Sequence, residues 1–156
     1  MVLDGLETVS LRYFNVFGPR QDPQSEYAAV IPKFITAALA GRQPRIFGDG
    51  TQSRDFCHID NVIEANFKAA AADARQVSGG VFNVACGQAT TLNQVVALIG
   101  EALGRKLEAV HDAERAGDIK HSHADVSAAR ARLGYLAAVS FAEGLRRTID
   151  WYKRPG

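Results

Sequence analysis

No apolar stretch in this chain approaches the roughly 18 residues that a membrane span requires. The first ten residues mix polar and apolar side chains, unlike the continuous apolar core of a secretory leader. Cysteine is scarce: Cys57 and Cys86 are the two in 156 residues. Each lies within an apolar, strand-like run, and no second pair offers the spacing of zinc ligands, so both are expected to be buried free thiols in a reducing cytoplasm. The pair His121 and His123 has no third histidine or cysteine converging on it, and no metal is expected. Excess charge is also missing. Eighteen basic residues face seventeen acidic ones, for a formal net charge of +1. Without a Lys/Arg block to track a phosphate backbone or an anionic bilayer, neither nucleic acid nor membrane is an expected partner. Internal repeats, heptad seams and low-complexity segments are absent.

What is present is a mixed α/β pattern of ordinary globular composition, 47% apolar, which predicts a single domain over residues 1–156. Residues 6–17 (LETVSLRYFNVF) are rich in β-branched and aromatic side chains and read as a strand. A strand apolar on both faces needs neighbours on either side. A Gly/Pro-rich loop follows at 18–23. Residues 28–40 have helical composition, and Pro32 restricts the start to Val30 or Ile31, because proline is tolerated in a first turn. Gly41 ends that helix. Residues 44–48 and 53–59 read as short strands, with Asp60 as N-cap of a helix reaching about Ala74. Residues 81–85 suit a buried strand. Thr91 caps an amphipathic helix, 92–103, whose Leu92, Val95, Val96, Ile99 and Leu103 share one stripe. A strand at 107–111, a loop at 115–118, and helices at 126–133 and 141–152 complete the pattern. The strands are too short and separated for a doubly wound sheet of their own.

Four segments carry more specific information: 11–19 (LRYFNVFGP), 28–34 (AAVIPKF), 46–60 (IFGDGTQSRDFCHID) and 115–125 (RAGDIKHSHAD). In this order and spacing they resemble the C-terminal half of UDP-sugar 4-epimerases, within the NAD-dependent epimerase/dehydratase family of the extended short-chain dehydrogenase/reductases. The resemblance covers essentially the whole chain. It implies the substrate-binding part of such a fold without the main dinucleotide-binding Rossmann core, with residues 6–17 as a strand of the absent sheet. The first segment is shared with sugar-nucleotide dehydratases and decarboxylases, which keeps those origins open.

The residues themselves agree with a nucleoside-diphosphate ligand. A diphosphate calls for fixed cations with planar, paired donors, and Arg54 and Arg115 stand in loop-like contexts from which they can converge on one. The resemblance makes these two the diphosphate clamps. It places Phe47 against the uracil, with Ala29 and Val30 closing over the base. Asp118 would accept from the ribose hydroxyls, and Asn15 would reach the sugar diphosphate. Phe56 stands where several relatives have tyrosine. Ser122 stands where glucose-restricted members carry a bulky aromatic, which favours UDP-N-acetylhexosamine over UDP-glucose because a filled pocket admits no acetamido group. Tyr13 matches a residue near the cofactor's nicotinamide end. Structural alternatives stay open: a core ring at Phe47, helix packing at Ala29 and Val30, a turn cap at Asn15, and packing at Tyr13.

Epimerisation in that family moves a hydride to bound NAD and back. It needs a Gly-rich βα turn and a tyrosine with lysine four residues on. No such glycine pattern follows any expected strand, and none of Tyr13, Tyr27, Tyr135 or Tyr152 has lysine four positions later. The expectation is therefore a truncated binding half, catalytically silent and without NAD by itself, with a stand-alone UDP-sugar-binding module or a purely structural one as the alternatives. It would associate with itself or with a missing N-terminal Rossmann domain through its first strand.

Overall fold

The computed structural model describes residues 5–24 and 30–154. The run expected to form one strand over 6–17 instead makes two, β1 (Ser10–Tyr13) and β2 (Val16–Phe17), hinged at Asn15. Asn15 has φ 34°, a left-handed conformation that asparagine tolerates better than most residues. Its amide donates to the Asp55 carbonyl at 3.1 Å, which holds the bend. The bend lets one segment serve two partners. β1 lies parallel to β6 (Val81–Val84), with Ser10 opposite Val81, and β2 lies parallel to β5 (Cys57–His58), with Val16 opposite Cys57. β3 (Arg45–Phe47) runs parallel to β8 (Val110–Asp112), and β4 (Ser53–Arg54) antiparallel to β7 (Thr90–Thr91). Among the described residues, no sheet is wider than two strands.

The run 53–59 is likewise broken, at Asp55 and Phe56. The Asp55 carboxylate turns inward and accepts from the backbone N–H groups of Cys86 and Gly87, both at 2.9 Å. The last strand is β8 over 110–112 rather than 107–111.

Among the described residues six helices accompany these strands: α1 (Val30–Leu39), α2 (Ile59–Ala71), α3 (Ala74–Val77), α4 (Leu92–Ala102), α5 (Ser127–Leu133) and α6 (Phe141–Tyr152). Cap chemistry sets several of their ends. His58, rather than the expected Asp60, caps α2, its Nδ1 accepting from the Asp60 N–H at 3.3 Å. Thr91 and Gln94 form a reciprocal capping box at α4. Gly134, at φ 63°, closes α5 in the left-handed conformation glycine adopts without penalty.

Two apolar clusters hold the chain together. In the first, α1, α4 and α6 bury Ile35, Val95 and Leu145 against Ile46, and Phe17, Phe56 and Phe141 meet in a ring cluster. Gly144 belongs here because a Cβ on it would meet His58 at 2.8 Å. In the second, Val62 and Ala65 of α2 pack with Phe82, Val84, Leu133 and Tyr135. Cys57 lies buried in that cluster and Cys86 is half-buried beside it, both as free thiols. Their mutual hydrogen bond and burial together raise the Cys86 thiol well above its ordinary value. Among the described residues, no helix is long and apolar enough to cross a membrane.

Candidate functional site

Between α1, β3 and the loop after β8 lies a cleft of about 980 Å³. Its wall on α1 follows from helical spacing: Val30, Lys33, Phe34 and Ala37 recur at three- and four-residue intervals and face one way. The opposite wall is β3, whose Ile46 is buried in the core while Phe47 turns to the opening. Gln52 fixes that strand end, its amide donating to the Phe47 carbonyl at 2.6 Å. Below, His111 Nδ1 lies 2.8 Å from the Gly48 carbonyl.

Arg54 and Arg115, 61 residues apart in sequence, line this one cleft. The Arg115 guanidinium lies 3.6 Å from the centre of the Phe47 ring, a cation-π stack that holds the side chain flat over the aromatic face. Arg54 is the less exposed of the pair, with 18% of its side chain accessible. One terminal nitrogen donates to its neighbour's carbonyl, Ser53 O, and the other to Asp118 Oδ1, each at 2.9 Å. Asp118 also borders the cleft, and its partly exposed carboxylate can exchange partners with an entering polar group.

Asn15 and Phe56 close the inner end. Asn15 reaches it from the bend between β1 and β2, with its amide nitrogen already committed to Asp55 O. Phe56 is almost wholly buried, stacked on Phe141 at 5.3 Å. Val30 lines the cleft where α1 begins, whereas Ala29 lies outside the described residues.

Two other positions stand apart. Ser122 is half-buried, donates its N–H to Ser53 O at 3.0 Å, and is absent from the cleft lining. Its neighbour His121 sets Nδ1 2.9 Å from Ser53 Oγ. Tyr13 is 48% exposed, donates from its hydroxyl to Asn66 Oδ1 at 3.1 Å, and faces a separate recess between β1 and α2. Among the described residues, no three His, Cys, Asp or Glu side chains converge as metal ligands.

Sequence reasoning overlooked Gln52, Lys33, Arg42 and Arg45, all of which border the cleft. Gln52 lay within a segment singled out for its pattern, and Lys33 recurs with Val30 and Ala37 at helical spacing, so both left a signal. Arg45 carried none, because its role depends on Asp112, 67 residues away, which it meets through two hydrogen bonds at 2.8 and 2.9 Å. That pair holds the Asp112 carboxyl below its ordinary value.

Residues 3–85 match the family model described as NAD dependent epimerase/dehydratase family. Among curated proteins, a putative UDP-glucose 4-epimerase of Methanocaldococcus jannaschii is 36% identical over 151 residues, 97% of this chain and 47% of that protein. A UDP-N-acetylglucosamine 4-epimerase from Methanobrevibacter ruminantium, solved with UDP-N-acetylmuramic acid, superposes with a TM-score of 0.86 at 46% identity, covering 95% of this chain and 46% of its own. For a UDP-glucose 4-epimerase from Thermotoga maritima with UDP-glucose, the TM-score is 0.88 at 39% identity, covering 96% and 47%. The chain thus spans about half the length of the relatives it matches. Its α/β architecture is that of a part of the extended short-chain dehydrogenase/reductase fold, and it belongs to the NAD dependent epimerase/dehydratase family.

Proposed function

We infer that this chain is the sugar-nucleotide-binding half of a UDP-sugar 4-epimerase, binding ligand but turning nothing over by itself. The observation that carries this is the convergence of Arg54 and Arg115 on one cleft beside the Phe47 ring. Two guanidinium groups supply planar donors for a diphosphate, and in this reading Arg115 moves off the Phe47 ring to the phosphates, which leaves the aromatic face to a base. In this reading Asp118 leaves Arg54 to accept from the ribose hydroxyls as the phosphates arrive. Val30, with Ala29 beside it, closes over the uracil, and Asn15 and Phe56 border the sugar. Ser122, hydrogen-bonded to the residue before Arg54, stands outside the cleft lining; in this reading its small side chain leaves room beside the sugar end and favours an N-acetylated hexose.

NAD serves the complete family enzyme, and this chain's residues do not fit it. The strand-to-helix turns at His58 and Thr91 are closed by side-chain caps and contain no glycine that would let a pyrophosphate approach the main chain. No hydride step is therefore assigned here. Tyr13, at the β1 surface, would meet the cofactor only alongside a further domain. β1 pairs with β6 and exposes most of its side chains. Either that domain or a second copy of the chain covers it, in the cytoplasm.

Titration calorimetry with UDP tests the reading. Measurable affinity is expected, and Arg54→Ala or Arg115→Ala should each weaken it by about tenfold or more, the loss of one charge-assisted contact. Retained affinity in both variants would end the diphosphate assignment. Ser122→Tyr should weaken UDP-N-acetylglucosamine more than UDP-glucose. Co-expression with the first half of the Methanocaldococcus jannaschii relative should restore epimerisation. Relatives at 31% identity include a UDP-N-acetyl-glucosaminuronate decarboxylase and a dTDP-glucose 4,6-dehydratase. A product of either reaction in that assay would redirect the assignment within the same family.

A further inference from the structure

We propose that the outer lobe of the cleft is an electrostatic capture surface, with Lys33 and Arg42 drawing an anionic nucleotide in before the inner arginines grip it. This rests on the nucleotide-binding reading above and adds a kinetic role that the reading does not require.

The argument starts from charge. Over the whole chain basic and acidic residues nearly cancel, at +1. The cleft does not share that balance: five of its lining residues are Lys or Arg, and Asp118 is the single carboxylate among them. Three of the five already have partners. Arg54 pairs with Asp118, Arg45 with Asp112, and Arg115 lies on Phe47. Lys33 and Arg42 remain exposed, and among the described residues neither lies within ion-pairing distance of a carboxylate.

Position makes the two cations act together. Lys33 and Ala37 are one helical turn apart on the cleft face of α1, and the Arg42 N–H bonds the Ala37 carbonyl at 2.9 Å. Lys33, Ala37 and Arg42 all line the same cleft. Arg42 also borders an adjoining recess with Arg105, where Lys106 is neutralised by Glu108 at 2.7 Å, so Arg42 and Arg105 are, among the described residues, the unpaired cations there. A cleft lined by one sign of charge, with low-dielectric walls, focuses field lines and raises the encounter rate of an opposite charge by about 10 to 1,000-fold. Exposed flexible cations serve this well and grip poorly, because water and salt screen them at contact.

Capture and grip separate in kinetics. Stopped-flow mixing of the 156-residue chain with a fluorescent UDP analogue gives kon and koff directly. At about 10 mM salt, where charges act over about 30 Å, Lys33→Glu with Arg42→Glu should lower kon about tenfold and leave koff within about twofold. Near 1 M salt, where the range shrinks to about 3 Å, the difference should vanish. Wild-type kon should itself fall steeply with salt, a measurement that needs no variant. The same two reversals placed at Lys68 and Arg130, on α2 and α5, change net charge equally and should lower kon less than the cleft reversals do, the difference measuring what the cleft contributes. Arg54→Ala should show the opposite split, a raised koff with kon nearly kept. A salt-independent wild-type kon, an unchanged kon in the double reversal, or an effect confined to koff overturns capture while leaving nucleotide binding intact. Absence of any UDP binding by wild type overturns the binding reading and capture with it.

Discussion

Arg54 and Asp55 are neighbours in sequence and opposites in circumstance. Asp55 is fully buried, with its two oxygens engaged by the N–H groups of Cys86 and Gly87 and a third, at 3.5 Å, of Ala124. Arg54 leans into a solvent-filled cleft, holding a carbonyl and one partly exposed carboxylate. The difference separates two uses of charge. A buried carboxyl group held by three backbone donors organises the chain and cannot be spared. An ion with an exchangeable partner at a cleft wall is free to bind something else at little cost to the fold.

The comparison breaks most readily at Asp55. Asp55→Ala strands buried N–H groups and should destabilise the chain by about 3 kcal/mol, the desolvation penalty of unmade hydrogen bonds, read as a lower urea midpoint at unchanged slope. Gly144→Ala tests whether neighbouring packing is as unforgiving. Its new Cβ would lie 2.8 Å from the His58 ring, an overpacking that should cost about 2 kcal/mol by the same measurement. Thr91→Ala removes the α4 capping box and should cost about 1 kcal/mol. Arg54→Ala should shift stability by no more than about 1 kcal/mol, while abolishing most UDP affinity. A large stability loss there would erase the distinction between the two residues.

His58 supplies a pH test of the same kind. Its ring is buried against Phe17, with Nε2 unpartnered. Burial first, then the positive charge of Arg147, lowers its pKa below the ordinary 6.5, against the opposing pull of Asp60 and Glu143. The unfolded chain then binds the proton more readily than the folded one. The stability His58 contributes is therefore present above about pH 6.5 and lost as pH falls from there to its depressed folded value. His58→Asn, which keeps a cap acceptor but does not titrate, should flatten the urea midpoint across that window. An unchanged slope would assign the acid response to another group.

Periodicity and cap chemistry act over a few residues, and where they governed the outcome it was legible in advance. The helix at 141–152 was read with its true bounds and the cap at Thr91 with its true residue, and Val30, one of the two starts offered for α1, is its first described residue. Misreadings fell where a distant partner intervened. Asn15 splits its strand by bonding Asp55, forty residues on, and the strand expected over 53–59 breaks where the Asp55 carboxylate bonds the turn at 86–87. His58 displaced Asp60 as a cap because its ring was needed against Phe17 and Gly144. The site divides similarly. Arg54, Arg115, Phe47 and Asp118 were singled out from their motifs, while Arg45 and Arg42 had no local pattern to mark them.

Residue order alone carried the motifs by which the chain resembles the epimerase/dehydratase family, and it specified the helical stripes and the Thr91 cap, because those last two depend on backbone sterics and neighbours a turn away. The meeting of two arginines 61 positions apart, the inward turn of Asp55 and the uneven charge of the cleft came from folding in three dimensions. Burial and Coulomb energies depend on distance through space, and separation along the chain carries no record of it.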